Sequence, residues 1–313
     1  MSKGLEISRQ FFEAARPILE RSIPDVMARA AAGLAGEGSE CLGFDDETSR
    51  DHDWGPAFCL WLPEGLLRSE KGRVEDALAR LPREFMGYPA RMSPEARMGR
   101  VGPMATEGFY RRFLGMERAP ENWREWRAIP EYHLCSCTNG AVFMDNEGAF
   151  SAVRKALLAY YPEGVRLKKI AARCMVMAQT GQYNMPRSLA RGEAVPAMLA
   201  AARFAEAALS MAHLLNRRFM PFYKWAARSA QSLPVLGAEA CVLAAALAGT
   251  NWTDREQGMR AAESAEAFCG RVAAELRAQG LTSVPGDWLW ALGPDVQMRI
   301  GDPEIVRLNV MED

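Results

Sequence analysis

With 313 residues, 49% hydrophobic and 25% charged side chains and a net charge of −1, the chain has the makeup of globular protein with room for about two domains. That charge balance argues against a general nucleic-acid binder, which carries a marked basic excess, so nucleic acid is not an expected partner. The start, Met1-Ser2-Lys3-Gly4-Leu5-Glu6, lacks the apolar core and cleavage site of a signal peptide. The most apolar later run, residues 235–250, is too short to span a bilayer and contains Glu239. A cytoplasmic protein without membrane association is therefore expected.

Residues 7–23 place Phe11, Phe12, Ala15, Ile18 and Leu19 at helical spacing. A small-residue run over 30–36 reads as a buried strand, broken by the turn Gly36-Glu37-Gly38-Ser39. Residues 52–62 alternate as a strand, closed by Pro63-Glu64-Gly65, and 73–81 reads as a short helix. Recurrent Pro and Gly leave 82–103 unassigned. Helical patterns follow over 107–114 and 121–126, then a short apolar run over 141–144 closed by Asp145-Asn146-Glu147-Gly148. Beyond that point helices succeed one another over 150–160, 165–179, 195–216, 222–233, 239–248 and 254–279, and strand alternation is nearly absent. The expected fold is α+β: a mixed-sheet domain over 1–148, followed by an all-helical domain over 149–313. No internal repeat is present.

Seven cysteines, at 41, 59, 135, 137, 174, 241 and 269, include one close pair, Cys135 and Cys137. With three histidines in the whole chain this pair does not make a zinc site, and reduced thiols are expected.

The chemistry concentrates in Gly38-Ser39-Glu40-Cys41-Leu42-Gly43-Phe44 and Ser49-Arg50-Asp51-His52-Asp53-Trp54. On a strand, Asp51 and Asp53 would share a face, and two such carboxylates call for a cation between them; oxygen ligands suit magnesium. Gly38 and Ser39, at a turn entering a helix, offer backbone N–H groups and a hydroxyl to a phosphate, and Ser49 flanks the same site. His52, between the aspartates, would point to the opposite face as a packed histidine. Phosphoryl or nucleotidyl transfer needs little more than such positioning and charge neutralisation.

A Gly-Ser turn followed about a dozen residues later by a D-x-D strand resembles the DNA polymerase β-like nucleotidyltransferase superfamily, which includes the kanamycin and lincosamide nucleotidyltransferases. The chain is most similar to the DUF4037 proteins. It shares with them a GSE-x-x-G-x-D…S-x-DHDWGP block over 38–56, a G-x-VF-x-D turn over 140–145, Tyr160-Tyr161-Pro162, and an LLN-x-R-x-x-P-x-YKW block over 214–225. The resemblance implies that Asp51 and Asp53 bind metal and catalyse, and that Gly38, Ser39 and Ser49 bind nucleotide. It also implies a third carboxylate on a strand near 98–106, where this chain reads Arg-Val-Gly-Pro-Met at 100–104 with no acid; Glu107, Glu131 and Asp145 are the possible substitutes.

Residues 154–228 carry thirteen Lys/Arg against three Glu. Most form a solvated basic face. One or two are expected to reach the triphosphate across a domain cleft, Lys224 first, then Gln182 and Arg187. Trp54, Trp61 and Trp225 could stack on a base but read more simply as core, and His213 as a satisfied interior histidine. The expected function is Mg2+-dependent transfer of an NMP from an NTP, ATP first among them, to a hydroxyl of a small-molecule acceptor. The alternatives are a nucleotide-binding protein without turnover, and an antitoxin-type enzyme that modifies a protein or RNA.

Overall fold

The computed structural model describes residues 3–51 and 53–312, and the chain divides into two units. The first holds the described residues up to Glu121 together with Ile129–Ala159; the second holds Asn122–Ala128 and the described residues from Tyr160 on.

The first unit opens with α1 (Lys3–Ser22), α2 (Pro24–Met27) and β1 (Ala31–Leu34), followed by the one-turn helix α3 (Ser39–Leu42). A single 3-10 turn (Thr48–Arg50) precedes β2 (Cys59–Leu62), α4 (Glu64–Leu78), the hairpin of β3 (Glu84–Phe85) and β4 (Tyr88–Pro89), β5 (Gly102–Ala105) and α5 (Thr106–Leu114). After α6 (Trp123–Ala128), which belongs to the second unit, come α7 (Glu131–Thr138), β6 (Ala141–Asp145) and α8 (Ala149–Leu158). The sheet order is β5-β2-β1-β6, with β1 antiparallel to both neighbours and β2 parallel to β5 through the α4 crossover.

Residues 58–62 are fully buried, which only a strand covered on both faces can satisfy. Phe58 meets Phe11 and Phe12 of α1 at 5.9 and 5.2 Å between ring centroids. Trp61, on the other face, stacks on Phe150 of α8 at 3.8 Å and meets Phe109 of α5 edge-on at 5.5 Å. Apolar pairs of this kind supply most of the stabilisation, since burial is worth about 25 cal/mol per Å2 of apolar surface. Gly33 keeps the sheet closed: a Cβ there would stand 2.4 Å from the Ala141 carbonyl oxygen, beside the irregular register of β1 and β6. The expected boundary at 148 separated α8 from the sheet, whereas Phe150 makes α8 part of the first core; only burial, not helical periodicity, decides to which core a helix belongs. The strand expected over 52–62 is shorter than its alternation suggests, because it starts at Cys59 and leaves Asp51 and Asp53 in the preceding loop.

The second unit is helical: α6, α9 (Glu163–Met177), a π-helical segment (Ala178–Asn184), α10 (Met185–Ala190), α11 (Ala194–Leu215), α12 (Tyr223–Ala230), α13 (Gly237–Ala248), α14 (Arg255–Ala278), α15 (Leu289–Met298) and α16 (Pro303–Val306). Helix α9 packs against α11, α15 and α16, and α11 also against α10, α12 and α13. The π-helical segment is seated by Gly181, whose missing side chain admits the Phe204 ring; an added Cβ would lie 2.3 Å from it. Helix α11 is long and apolar enough to cross a membrane by length and composition alone, with half of its apolar window buried within the structure.

Candidate functional site

β1 leaves the sheet at Leu34, β2 starts at Cys59 opposite Gly33, and β5 starts at Gly102 beside Cys59. The Gly36–Ser39 turn, the loop through Asp51 and Asp53, and the Arg97–Val101 approach to β5 therefore converge on one end of the sheet, although some sixty residues of chain separate the first from the last.

Gly38 is the N-cap of α3 with extended backbone (φ −67°, ψ 146°), and Ser39 is its first residue. The Glu40 side chain folds back over Gly38, where a Cβ would fall 2.5 Å from the carboxyl group. Glu40 is buried, and burial pushes its carboxyl above the usual carboxylate range. Its cation is Arg91, 3.9 Å away and also buried. Burial draws the Arg91 guanidinium down from its ordinary value, and the Glu40 charge works against that shift. Among the described residues Arg91 Nε and Nη2 have no hydrogen-bond partner. Asn139, just after α7, clasps the turn from the other side: its Oδ1 accepts from the Gly36 N–H at 3.0 Å and its Nδ2 donates to the Gly36 carbonyl at 2.6 Å.

Asp51 and Asp53 do not alternate along a strand. Asp51 closes the 3-10 turn with helical backbone and is exposed, while Asp53 has left-handed backbone (φ 54°), a conformation aspartate tolerates better than most residues. Arg91 Nη1 donates to the Asp53 carbonyl and so ties this residue to Glu40. The Asp53 carboxylate is paired as well: its Oδ2 lies 3.2 Å from Arg100 Nη1. His52 lies outside the described residues. Ser49 is used locally: its hydroxyl donates to Asp46 Oδ1 at 3.1 Å and accepts from the Asp46 N–H at 3.2 Å.

The rest of the block holds the loop in place. Asp45 Oδ2 accepts from the Gly4 N–H of α1 at 2.8 Å and from Trp54 Nε1 at 3.2 Å. Trp54 meets Tyr88 of β4 edge-on at 5.0 Å, so it is a packing residue and the β3–β4 hairpin is its platform. Gly55 permits the close approach, since a Cβ there would lie 2.7 Å from the Pro89 carbonyl oxygen and its φ of 144° already favours glycine. Beside the turn, Arg112 of α5 pairs with Glu37 at 2.5 Å and donates to the Gly99 carbonyl at 3.1 Å. A cavity of about 140 Å3 is bordered there by Gly36, Glu37, Arg100, Arg112, Met104 and Phe109.

β5 forms inside the stretch where the third carboxylate was expected, and it carries none; Arg100 stands just ahead of it. None of the three substitutes reaches this end of the sheet. Glu107 accepts from the Glu64 N–H past the far end of β5, and Asp145, opposite Ala31, accepts from the Gly148 and Ser151 N–H groups at the start of α8. Glu131 begins α7, a helix length before Asn139. Among the described residues no group of three or more His, Cys, Asp or Glu side chains could hold a metal ion. With Asp53 committed to Arg100, the side chains as they stand do not fit a metal centre.

In the helical unit Gln182 is spent on structure: its Nε2 donates to Glu266 Oε1 and the Asp287 carbonyl, and its Oε1 accepts from the Leu289 N–H at 3.0 Å. The Arg187 guanidinium lies 4.7 Å from the Tyr183 ring centroid and Lys224 Nζ 5.4 Å from that of Trp225, with Lys224 exposed. Several other cations of this unit are buried in its fabric. Arg166 donates to the Leu214 carbonyl and pairs with Glu163, and Lys168 donates to the Val310 and Glu312 carbonyls. His213 is fully buried; its Nδ1–H donates to the Leu209 carbonyl at 2.7 Å, which leaves Nε2 to accept from the Ser229 hydroxyl at 3.0 Å. All seven cysteines are free thiols, most of them buried.

The fold and this site define an α+β protein whose small mixed sheet gathers a glycine turn, an acidic loop and several arginines at one end, with a helical C-terminal unit. Residues 126–226 match the family model described as Domain of unknown function (DUF4037), which supports that family for this chain. The match takes in the 140–145, 160–162 and 214–225 blocks and leaves out the block over 38–56. No curated protein and no solved structure matches the chain.

Proposed function

We propose that the first unit binds a nucleoside triphosphate at this end of its sheet, and that its reaction is transfer of the NMP to a hydroxyl of a small-molecule acceptor. The observation that carries the reading is the convergence of the Gly38-Ser39 turn, the Asp51/Asp53 loop and Arg100 from three separate stretches of chain onto one sheet end. Backbone N–H groups of the turn and the guanidiniums of Arg100 and Arg112 suit phosphate oxygens. In the proposed transfer the acceptor oxygen bonds to the α-phosphorus, the bond to the β-phosphate oxygen breaks, and pyrophosphate leaves. The hydroxyl proton passes to water, since β5 offers no carboxylate to take it. Magnesium enters this reading only in company with the ligand's own phosphates, and not as an ion that the side chains hold by themselves.

A second reading, nucleotide binding without transfer, is favoured by the absence of an acid on β5. Loss of a general base typically slows such a step by about 10²–10⁴-fold. Calorimetry with ATP, GTP, CTP and UTP plus magnesium, on the wild type and on Asp51→Ala/Asp53→Ala, tests both. Binding that the double variant loses is the expected result, and pyrophosphate release then separates transfer from binding alone. Failure of the wild type to bind any of the four would remove both readings.

A further inference from the structure

The helical unit has a cavity of its own, bordered by none of the residues assigned above to nucleotide. It measures about 310 Å3, at the small end of ligand-site volumes, and lies among α9, the π-helical segment, α11 and the loop before α12. Its polar side is built on Arg173. That guanidinium is held from α11, because Arg173 Nε donates to Ser210 Oγ at 2.8 Å and Ser210 is only 1% exposed. A guanidinium anchored in this way is pre-organised for a planar partner with two oxygens. Arg203 and Glu206 also border the cavity as exposed residues, three positions apart on α11. Opposite charges at that spacing ordinarily pair along a helix, yet among the described residues neither is in an ion pair, so each charge is open to a ligand. Val176 and Met220 supply an apolar wall. The π-helical segment lines one side, set in place by the contact of Gly181 with Phe204; such departures from α geometry recur at functional sites.

Two cations, one anion and an apolar wall in so small a space select among ligands. A simple carboxylate or a phosphate satisfies the arginines and is repelled by Glu206, whereas an amine satisfies Glu206 and is repelled by the arginines. A molecule that carries both groups on one apolar body answers all three. We propose that this cavity binds a small zwitterion of the α-amino-acid class with an apolar side chain. Its carboxylate meets Arg173 and Arg203, its ammonium meets Glu206, and its side chain rests on Val176 and Met220. The site is made of the helical unit's own residues and is independent of the nucleotide reading.

The test is calorimetry on the full chain with L-leucine, L-methionine and L-phenylalanine, each beside its deaminated and its decarboxylated counterpart. At least one amino acid is expected to bind, with both counterparts weaker by about tenfold or more, the worth of a hydrogen bond to a charged group. Arg203→Gln and Glu206→Gln alter exposed residues and leave the fold in place, and each should weaken the amino acid by about tenfold. Glu206→Gln should also narrow the gap between the amino acid and its deaminated counterpart, and Arg203→Gln the gap to the decarboxylated one. Failure of the wild type to bind any of the three amino acids would overturn the site. So would a deaminated counterpart that binds as tightly as its amino acid, or affinity unchanged in both variants.

Discussion

Glu40 and Arg91 are buried opposite charges that reach across the first unit, and each is costly without the other. Removing one member of such a pair leaves an uncompensated charge, which typically costs about 3–5 kcal/mol. Arg91→Ala should therefore lower the stability of the first unit by about that much at neutral pH, read by urea denaturation. The penalty should shrink in acid. Burial already raises the Glu40 carboxyl, and Arg91 is the charge that opposes that shift, so the variant raises it further. A group raised in the folded state contributes its full stability below its ordinary carboxylate range and loses it as pH rises through the folded value. The gap between variant and wild type should thus be widest near pH 7 and narrow towards pH 4; a gap independent of pH would refute the pairing. Gly38, Ser39, Asp51 and Asp53 were legible because they stand in short local motifs. Arg91, Arg100 and Asn139 were not, since each acts on a residue tens of positions away and nothing local marks it. The one available signal was an arginine in a stretch where an acid was expected, and it read as a gap until the 3.2 Å pair with Asp53 gave it a partner.

Among the elements, those with strong periodicity read well: the helix expected over 254–279 is α14, and the one over 195–216 is α11. Elements fixed by distant partners read poorly. The β3–β4 hairpin lies within the Pro- and Gly-rich 82–103, where its function is to support Trp54 and Gly55. The alternation over 52–58 was taken for strand, yet Arg91 and Arg100 hold its first half as a loop. The π-helical segment is likewise invisible to periodicity, because it depends on one missing side chain. Gly181→Ala forces a methyl group onto the Phe204 ring, and overpacking of this kind costs typically about 1–3 kcal/mol. A lowered melting temperature for the helical unit is expected, and Gly181→Ala/Phe204→Leu should recover part of it. An unchanged melting temperature in the single variant would mean that the ring is not confined as described.

For the whole molecule the informative fact is that neither unit is one continuous stretch. A fragment ending at residue 148 omits α8 and with it the ring that stacks on Trp61; truncating a large buried aromatic alone costs about 3–5 kcal/mol. A fragment over 1–159 should therefore give a cooperative thermal transition and a near-ultraviolet signal from ordered aromatics, whereas 1–148 should give neither. Equal folding of the two would place the boundary back at 148. The same trace bears on how the protein is made. On a ribosome the first 121 residues emerge with β1 paired on one side only, its other edge waiting for β6, which comes after a helix that belongs elsewhere. An unpaired inner strand is a template for wrong partners. For the time it takes to synthesise two dozen further residues, the nascent chain is at its most vulnerable to aggregation, and a chaperone that binds exposed β-edges would act on it in that interval.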